Sequence, residues 1–391
     1  MKEQIQAITN AYKERQLAHF HHLHAHPELS FEEYETSAYI KETLTKAGVT
    51  LADGIHGTSV VGILEGSEPG PTIAFRADID ALPVEEDNDL EYKSTVPGKM
   101  HACGHDSHTA TLLTFAELLA EHRDLIKGKV KFLFQCAEEK LPGGALGLCE
   151  DGAIDDVDAV YGLHCSALIP LGEMLSNEGP NSACIGIYEV KVHGKGGHGS
   201  SPHQAVNPVP AACALASSIN QILAEKASPL EKAVFTVSYI NGGQYPNIIP
   251  SDVTLGGNIR TFNNELTDEL FKQLKNFCNG ICAAYGCTCD VTTTVGYPAT
   301  INKPEETAIV RSAIEGMGYS WHSAEPALGG EDFSYYLLKK PGSFFSVGMQ
   351  DPDKVATAAP HHNCHFKLDQ RGLLIALELE LAIYLKELER R

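Results

Sequence analysis

The first part of the chain alternates amphipathic stretches with short apolar runs. Residues 1–48 show helical spacing on both sides of HAHPELSFEE, where Pro27 ends a first helix. Ser30 and Glu33 fit a capping box that opens a second helix. The apolar runs in TSVVGILEG and PTIAFRADIDALP then predict two buried strands.

The following elements continue this alternation. A helical run follows MHACGHDSHT, with Asp106 or Ser107 as the expected N-cap. KVKFLFQCAEE and DAVYGLH predict further strands, the first ending at Glu138 and Glu139 and the second at His164. Because these strands are apolar almost throughout and alternate with helices, they predict a mostly parallel sheet flanked by helices.

The pattern then changes to half-exposed strands. IGIYEVKVHGKGG, KAVFTVSYINGG, SDVTLGGNIRTF and CTCDVTTTVGY predict strands, and the runs NPVPAACALASSINQILAE and NELTDELFKQLKNFCNGICAAYG predict helices. The order strand–helix–strand–strand–helix–strand is typical of a ferredoxin-like fold. TAIVRSAIEGMG, SFFSVG and a C-terminal helix from 369 then return to the first pattern. We therefore predict an α/β catalytic domain formed by 1–183 and 297–391, with an inserted α+β domain at 184–296.

Composition limits the class of function. Of the 391 residues, 43% are hydrophobic, which is sufficient for two domains. Lys and Arg number 30 and Asp and Glu 51, so the formal charge is 30 − 51 = −21 and excludes nucleic-acid binding through a general positive field. The N-terminal stretch MKEQIQAITNAYKERQLAHF has no signal-peptide core, and no apolar run is long enough for a membrane helix. With eleven cysteines, these features predict a cytoplasmic protein.

Polar side chains follow the carboxyl ends of the predicted strands or lie in the loop that enters a helix. Since that edge of an open α/β sheet is where ligands bind, we expect these side chains to converge. Cys, His and carboxylate ligands together favour a borderline divalent ion such as zinc, cobalt or manganese. Of two adjacent glutamates, one can bind metal while the other accepts a proton from water. The residues concerned are Asp78, Asp80, Cys103, His105, Glu138, Glu139 and His164.

Two alternatives fit parts of this pattern. Cys103 beside His105 is compatible with a thiol nucleophile and its base, although the two glutamates and the other histidines then have no role. A second cysteine cluster, in CNGICAAYGCTCD, is compatible with a structural zinc site and equally with cysteines packed as small hydrophobic residues. Its members are Cys278, Cys282, Cys287 and Cys289.

The chain resembles the M20 metallopeptidases, specifically their amidohydrolase branch, subfamily D. The resemblance runs from about residue 20 to 385 and is carried by eight ordered motifs: FRADIDALP, MHACGHDSHTATLL, FQCAEE with GGA, YGLH, GKGGHGSSPH, IIPSDVTLGGNIRTF, GGEDFSYY with PG, and HHNCHF. That branch includes N-acyl-amino-acid and auxin-conjugate amidohydrolases, hippurate hydrolases and N-acetyldiaminopimelate deacetylases.

The resemblance implies a role for each matching residue. Glu138 matches the general base, Asp80 the aspartate that orients the site, and His198 the histidine that helps to polarise the scissile carbonyl. Asn247 and Arg260 match residues that hold the substrate carboxylate, a task suited to the planar guanidinium. The implied metal ligands are Cys103, His105, Glu139, His164 and His362.

Other positions lie outside this match or depart from it. His361 and His365 are neighbours of the implied ligand without matching it, and Asp78 stands where other branches of the family place a histidine ligand. Cys136 replaces a proline that is common after FQ, and Ser251 ends a motif that often reads NVIPD. These departures affect the expected substrate choice more than the expected activity.

The resemblance implies an activity and its partners. It implies two divalent ions per subunit, of Mn, Zn, Co or Ni, and metal-assisted hydrolysis of the amide bond of an N-acyl amino acid with a free carboxylate. The alternative substrate is a small peptide, cleaved by a dipeptidase or carboxypeptidase of the same chemistry. A binding protein that has kept the fold without catalysis is a third possibility. The inserted domain is expected to act as a lid and as the interface of a homodimer.

Overall fold

The protein is described by a computed structural model over residues 2–390. The chain forms two compact units. The first comprises the residues up to Asn181, Ile301–Glu325 and the residues from Asp332, and the second comprises Ser182–Thr300 and Pro326–Glu331. Within residues 2–390, no helix combines the length and the apolar character needed to cross a bilayer.

The first unit is built from helices and strands that alternate along the chain. Its helices are α1 (Lys2–Asn10), α2 (Lys13–Ala25), α3 (Tyr34–Lys46), α4 (His105–Glu121), α5 (Gly144–Glu150), α9 (Pro304–Gly316), α10 (Ser334–Lys339) and α11 (Arg371–Arg390). Its strands are β1 (Thr50–Leu51), β2 (Val60–Glu65), β3 (Glu68–Asp78), β4 (Lys127–Gln135), β5 (Ala159–Pro170), β6 (Glu173–Leu175), β15 (Ser320–His322) and β16 (Gly342–Gln350).

These strands form one sheet in the order β1-β2-β4-β3-β5-β16-β6-β15. The central strands β4, β3, β5 and β16 run parallel to one another, whereas β2 pairs with β4 and β6 pairs with β16 in antiparallel fashion. One face packs against helices that include α1, α4, α9 and α11, and the other packs against α5 and α10. Burial on both faces explains the apolar strands and confirms the α/β class.

The second unit contains the helices α6 (Pro208–Ser218), α7 (Asn220–Lys226) and α8 (Asn264–Ala284). Its strands are β8 (Cys184–His193), β9 (Gly197–His198), β10 (Ala233–Asn241), β11 (Ile248–Ile249), β12 (Asp252–Thr261) and β13 (Thr288–Val295), while β7 (Gly179–Ser182) and β14 (Thr300–Asn302) pair where the chain passes between the units. An antiparallel sheet in the order β10-β12-β8-β13 packs one face against the helices, which is the ferredoxin-like arrangement.

Four local expectations were wrong. Strand β4 ends at Gln135 and not at Glu138 and Glu139, which lie in the segment that follows it. Ser30 and Glu33 do not form a capping box, because α3 begins at Tyr34 and both side chains hydrogen-bond to other segments instead. Helix α4 begins at His105 after Gly104, whose φ of 88° is left-handed, so the expected N-caps Asp106 and Ser107 lie inside its first turn. Strand β5 does not end at His164 but continues to Pro170, because it keeps pairing with β16 beyond the end of β3.

Candidate metal centre

The parallel pairing of β3 with β4 places two acidic segments at one edge of the main sheet. Asp78 lies opposite Gln135 in register, so the chain emerges from both strands at the same level. The segments that follow contain Asp80 and Glu139, and the Glu139 backbone N–H donates to Asp80 Oδ2 at 3.0 Å. The sheet edge therefore joins residues that are about sixty positions apart in the sequence.

A first group of potential ligands consists of Cys103, His105 and Glu139, whose donor atoms lie within 4.8 Å of one another. His105 Nδ1 donates to the backbone oxygen of Asp80 at 3.0 Å and lies 3.2 Å from its Oδ1, which directs Nε2 away from that carboxylate. Nε2 is buried without a hydrogen-bond partner and lies 4.0 Å from Glu139 Oε1. A metal ion can span this separation, since zinc binds nitrogen and oxygen ligands at about 2.0–2.2 Å.

The charges around His105 also favour a cation at this position. Burial lowers the pKa of His105, but the carboxylates of Asp78 and Asp80 outweigh it and raise the pKa to about 10. The surroundings thus stabilise a positive charge at Nε2, which a proton or a metal ion can supply. The contact between Asp80 and His105 is the carboxylate–histidine arrangement that orients metal ligands in many proteins.

A second group consists of Cys103, His164 and His361, again with donor atoms within 4.8 Å of one another. His164 Nδ1 donates to the Cys165 backbone oxygen at 2.7 Å, which leaves Nε2 as the free ring nitrogen, 3.5 Å from Cys103 Sγ. Burial lowers the pKa of His164 and keeps the ring neutral, the form in which imidazole binds metal. Both groups contain Cys103, so its sulfur is placed to bind either of two ions or to bridge them.

The two adjacent histidines of HHNCHF differ in their contacts. His361 Nδ1 donates to the Cys103 backbone oxygen at 3.2 Å, so this nitrogen carries a proton and holds the cysteine segment in place. His362 adopts a left-handed φ of 64°, which turns its side chain to the other group. There its Nε2 lies 3.0 Å from Glu139 Oε1. Sequence matching passed over His361, and only the fold shows that both histidines border the centre.

The thiol of Cys103 is buried. Burial and the nearby carboxylates of Glu139 and Glu138 raise its pKa well above the usual range. A thiolate nucleophile requires the opposite environment, with a lowered pKa and nearby positive charge. These surroundings disfavour the nucleophile alternative and suit a sulfur that loses its proton only to a metal ion.

Asp78 is engaged by partners behind the centre. Arg76 Nη1 donates to Oδ2 at 2.9 Å, and His108 Nδ1 donates to Oδ1 at 2.6 Å. Burial raises the pKa of Asp78, but His105, Arg76 and His108 together hold it well below the usual range. His108 Nε2 in turn accepts the backbone N–H of Cys165 at 2.8 Å, so this residue links two strands of the sheet.

Arg76 and His108 were missed by sequence reasoning. Arg76 is 2% exposed and also donates from Nη2 to Asp332 at 2.8 Å. The available signal was an arginine inside the apolar run TIAFRAD, because a buried cation needs buried carboxylates as partners.

Glu138 is 9% exposed, and its carboxylate lies within 4.8 Å of that of Asp332. It stands beside Glu139 at the end of the β4 segment, with the backbone of Ala137 before it in a left-handed φ of 53°. Its charge acts on Cys103, where it helps to raise the pKa of the thiol, so Glu138 lies within electrostatic reach of the shared sulfur without belonging to either ligand group.

The remaining predicted residues lie in the second unit. His198 is exposed in β9 and pairs in register with Ile248 of β11, next to Asn247. Its Nδ1 lies 2.7 Å from Ser200 Oγ. Arg260 in β12 is half-buried, and Nη1 donates to the Ile259 backbone oxygen at 3.1 Å. Within the second unit, His198 and Asn247 are therefore neighbours on one two-stranded ribbon.

The second cysteine cluster packs in the hydrophobic core of the second unit. Two of its members, Cys278 and Cys282, are fully buried on α8 among apolar side chains. Among residues 2–390, the groups with metal-ligand spacing include none of the four cysteines. The packing interpretation accounts for them without a metal.

Comparison with known proteins identifies the family. The model of peptidase family M20/M25/M40 matches residues 74–383. The chain is 41% identical to thermostable carboxypeptidase 1 of Saccharolobus solfataricus over 89% of both chains. It is 38% identical to the N-acetyl-L-cysteine deacetylase of Bacillus subtilis, over 96% of this chain and 89% of that protein.

A solved structure connects this family to the geometry of the site. A Bacillus subtilis protein described as a dinuclear metal-binding peptidase of the M20 family superimposes with a TM-score of 0.84. It is 32% identical and covers 97% of this chain and 99% of its own. The two ligand groups that share Cys103 are consistent with two divalent ions in this protein as well. The chain belongs to peptidase family M20/M25/M40, and it is a hydrolase that acts on amide bonds.

Proposed function

We propose that this protein is a metal-dependent amidohydrolase that cleaves the amide bond of N-acyl amino acids. The observation that carries the proposal is the pair of groups with metal-ligand spacing, Cys103–His105–Glu139 and Cys103–His164–His361. Glu138 directly precedes Glu139, and its charge acts on the shared Cys103. The similarity to a deacetylase of an N-acylated amino acid supports the substrate class.

Residues of the first unit hold the metal ions and move the proton. The proposed ligands are Cys103, His105, Glu139, His164 and His362, the last of which lies 3.0 Å from Glu139 through its Nε2. Although His361 has the spacing of a ligand, we assign it to holding the Cys103 backbone, because its Nδ1 donates to that backbone oxygen. Bound divalent ions would polarise the scissile carbonyl and lower the pKa of water. Glu138 would accept the proton of the attacking water and then donate it to the leaving amine, the usual exchange of roles for one carboxylate.

Residues of the second unit complete the proposal. His198 would donate a hydrogen bond to the carbonyl oxygen as negative charge develops on it. Arg260 and Asn247 would hold the free carboxylate of the amino acid, and a half-buried guanidinium strengthens such a contact by limiting its exposure to water. We also propose that residues 184–296 act as a lid and form the interface of a homodimer.

The metal identity and the compartment follow from the donor set and from the cysteines. A set of one thiolate, imidazoles and a carboxylate suits zinc, cobalt, nickel or manganese, and rules out none of them. All eleven cysteines are free thiols, which supports the proposed cytoplasmic location.

A second candidate function is a carboxypeptidase or dipeptidase activity. It is favoured by the 41% identity to a thermostable carboxypeptidase. Both activities use the same metal chemistry and a substrate with a free carboxylate, so they differ in whether an acyl group or a peptide occupies the other side of the bond.

The test is amine release by purified protein after removal of metal with a chelator. Portions reloaded with Mn²⁺, Zn²⁺, Co²⁺ or Ni²⁺ receive N-acetyl and N-benzoyl amino acids alongside dipeptides and longer peptides. Faster metal-dependent release from the acylated amino acids supports the proposed function, and faster release from peptides supports the second candidate. Two bound ions per chain without any hydrolysis would instead favour the non-catalytic binding protein.

The role of Glu138 is tested separately. Glu138→Gln should lower kcat by about 10²–10⁴-fold, since the amide cannot accept a proton, while two ions per chain remain bound. Glu150→Gln, at an exposed glutamate near the end of α5, is the control and should leave kcat unchanged. Normal turnover by the metal-loaded Glu138→Gln enzyme would exclude this residue as the base.

A further inference from the structure

The loop before α3 contacts the centre through two side chains. Ser30 Oγ donates to Asp80 Oδ2 at 2.6 Å, and Asp80 in turn contacts His105 and the backbone of Glu139. Three residues later, Glu33 is fully buried and reaches the segment that follows β4. A residue predicted to cap a helix is thus directed into the interior, where a carboxylate needs a specific partner.

The carboxylate of Glu33 has two such partners. Oε1 accepts the backbone N–H of Ala137 at 2.8 Å, and Oε2 accepts the hydroxyl of Thr58 at 2.5 Å. Ala137 has a φ of 53°, a left-handed conformation that is unfavourable for an alanine and persists only where the surroundings impose it. Glu33 supplies the bond that holds this residue, which directly precedes Glu138.

Side chains also bind the backbone N–H groups of Cys136 and Glu139, which lie on either side of Ala137 and Glu138. The N–H of Cys136 donates to Ser59 Oγ at 3.1 Å, and the N–H of Glu139 donates to Asp80 Oδ2 at 3.0 Å. Side-chain acceptors from elsewhere in the first unit therefore fix the backbone on both sides of Glu138. Of these acceptors, Glu33 binds closest to Glu138 on its N-terminal side.

We propose that Glu33 is a positioning residue, whose hydrogen bond to the strained backbone of Ala137 holds the base Glu138 in its working orientation. The inference rests on the proposed function, in which Glu138 accepts the proton of water. Because a displacement of about 1 Å can cost as much as 100-fold in rate, loss of this bond should lower kcat. Substrate affinity should change little, since Glu33 is buried behind the loop.

The experiment compares three substitutions with a neighbouring control. Glu33→Gln keeps both bonds, because the amide oxygen can accept from Ala137 while the NH₂ group donates to the hydroxyl of Thr58. Glu33→Ala removes both bonds, and Glu33→Asp keeps the charge but is one methylene too short to span both partners. Glu32→Ala is the control, since Glu32 is exposed and one position away.

Two measurements are made on each variant. In the first, kcat and KM are determined at equal metal content. We expect Glu33→Ala and Glu33→Asp to lower kcat by about 10- to 100-fold with KM within about threefold, and Glu33→Gln to stay within about threefold of wild type. In the second, hydrogen exchange of peptides spanning residues 133–141 is followed in the metal-free protein. Exchange should be faster in Glu33→Ala and unchanged in Glu33→Gln.

The outcomes separate this inference from the proposed function. Full kcat in Glu33→Ala, equal losses in Glu33→Gln and Glu33→Ala, or unchanged exchange in Glu33→Ala would overturn the positioning role. If Glu33→Ala does not fold, Glu33→Asp decides by the same criteria. If the wild-type enzyme hydrolyses nothing on the panel, the proposed function fails, and the exchange comparison alone decides whether Glu33 holds the segment.

Discussion

A buried histidine joins α2 to the start of α4 and makes stability depend on pH. His24 Nδ1 donates to Asp106 Oδ2 at 2.6 Å, and Nε2 lies 3.2 Å from Glu86 Oε1. Burial lowers the pKa of His24, but its hydrogen bonds to Asp106 and Glu86 outweigh burial and raise the pKa to about 9. The imidazolium is therefore the form present at neutral pH, between two buried carboxylates.

The sign of the effect follows from the direction of this shift. A histidine whose pKa is higher in the folded state stabilises the fold below its unfolded pKa, and this contribution is lost as the pH rises through the folded value. With an unfolded value of 6.5 and a folded value of about 9, the difference is about 2.5 units. At 1.36 kcal/mol per unit, this corresponds to about 3 kcal/mol of stability, present at pH 6.5 and lost by about pH 9.5.

The perturbation is His24→Gln, which keeps a polar side chain of similar size but does not titrate. Thermal unfolding of wild type and variant is followed at several pH values between 6.5 and 10. The variant should unfold at a lower temperature at pH 6.5, and the gap should shrink by roughly 6–12 °C by pH 9.5, at about 2–4 °C per kcal/mol for a domain of this size. Exposed His203→Gln is the control and should follow wild type. A gap between wild type and His24→Gln that stays constant over this range would refute the reasoning.

Two further predictions concern the segment around the shared sulfur. Cys103→Ala should lower the metal content of the purified protein, as read by elemental analysis, because both ligand groups share this sulfur, while Cys213→Ala, at an exposed cysteine, should keep the wild-type content. Wild-type metal content in Cys103→Ala would exclude this residue as a ligand. Gly104→Ala should abolish metal binding at this segment, because its Cβ would lie 2.2 Å from Cys165 Sγ at a φ of 88°. Gly98→Ala is the control, because its φ is 72° but no atom lies within 4 Å of the new Cβ; it should lower thermal stability while the metal content stays at the wild-type level. Wild-type metal content in Gly104→Ala would contradict the prediction and show that the Cys103–His105 segment can shift to admit the new methyl group.

Much of the first unit could be predicted from the sequence, because its strands are apolar throughout and end in polar groups. Asp80 and Glu139 follow strands that proved to be parallel neighbours, so their convergence followed from a general property of such sheets. His164 also reached the centre, although its strand continues beyond it.

Other features required the tertiary structure. Ser30 and Glu33 had the spacing of a helix cap, and only the fold shows that buried partners take both side chains. Local patterns could not separate His361 from His362, because the difference depends on a left-handed backbone and on a carbonyl that is distant in sequence. Spacing in the sequence predicts which side chains are available, while their actual partners lie from 25 to 258 positions away and are brought to them by the fold.

The contacts of Arg76 impose an order on biosynthesis. One carboxylate partner, Asp78, is two residues away, whereas the other, Asp332, is separated from Arg76 by 256 positions. Until the ribosome has released the segment that contains Asp332, the arginine has only part of its compensation and the low-dielectric interior disfavours its burial. The first unit can therefore be completed only after the second unit has been synthesised and the chain has returned to the first. A nascent chain cannot assemble the metal centre before that point, and we expect it to need protection from aggregation until synthesis is nearly finished.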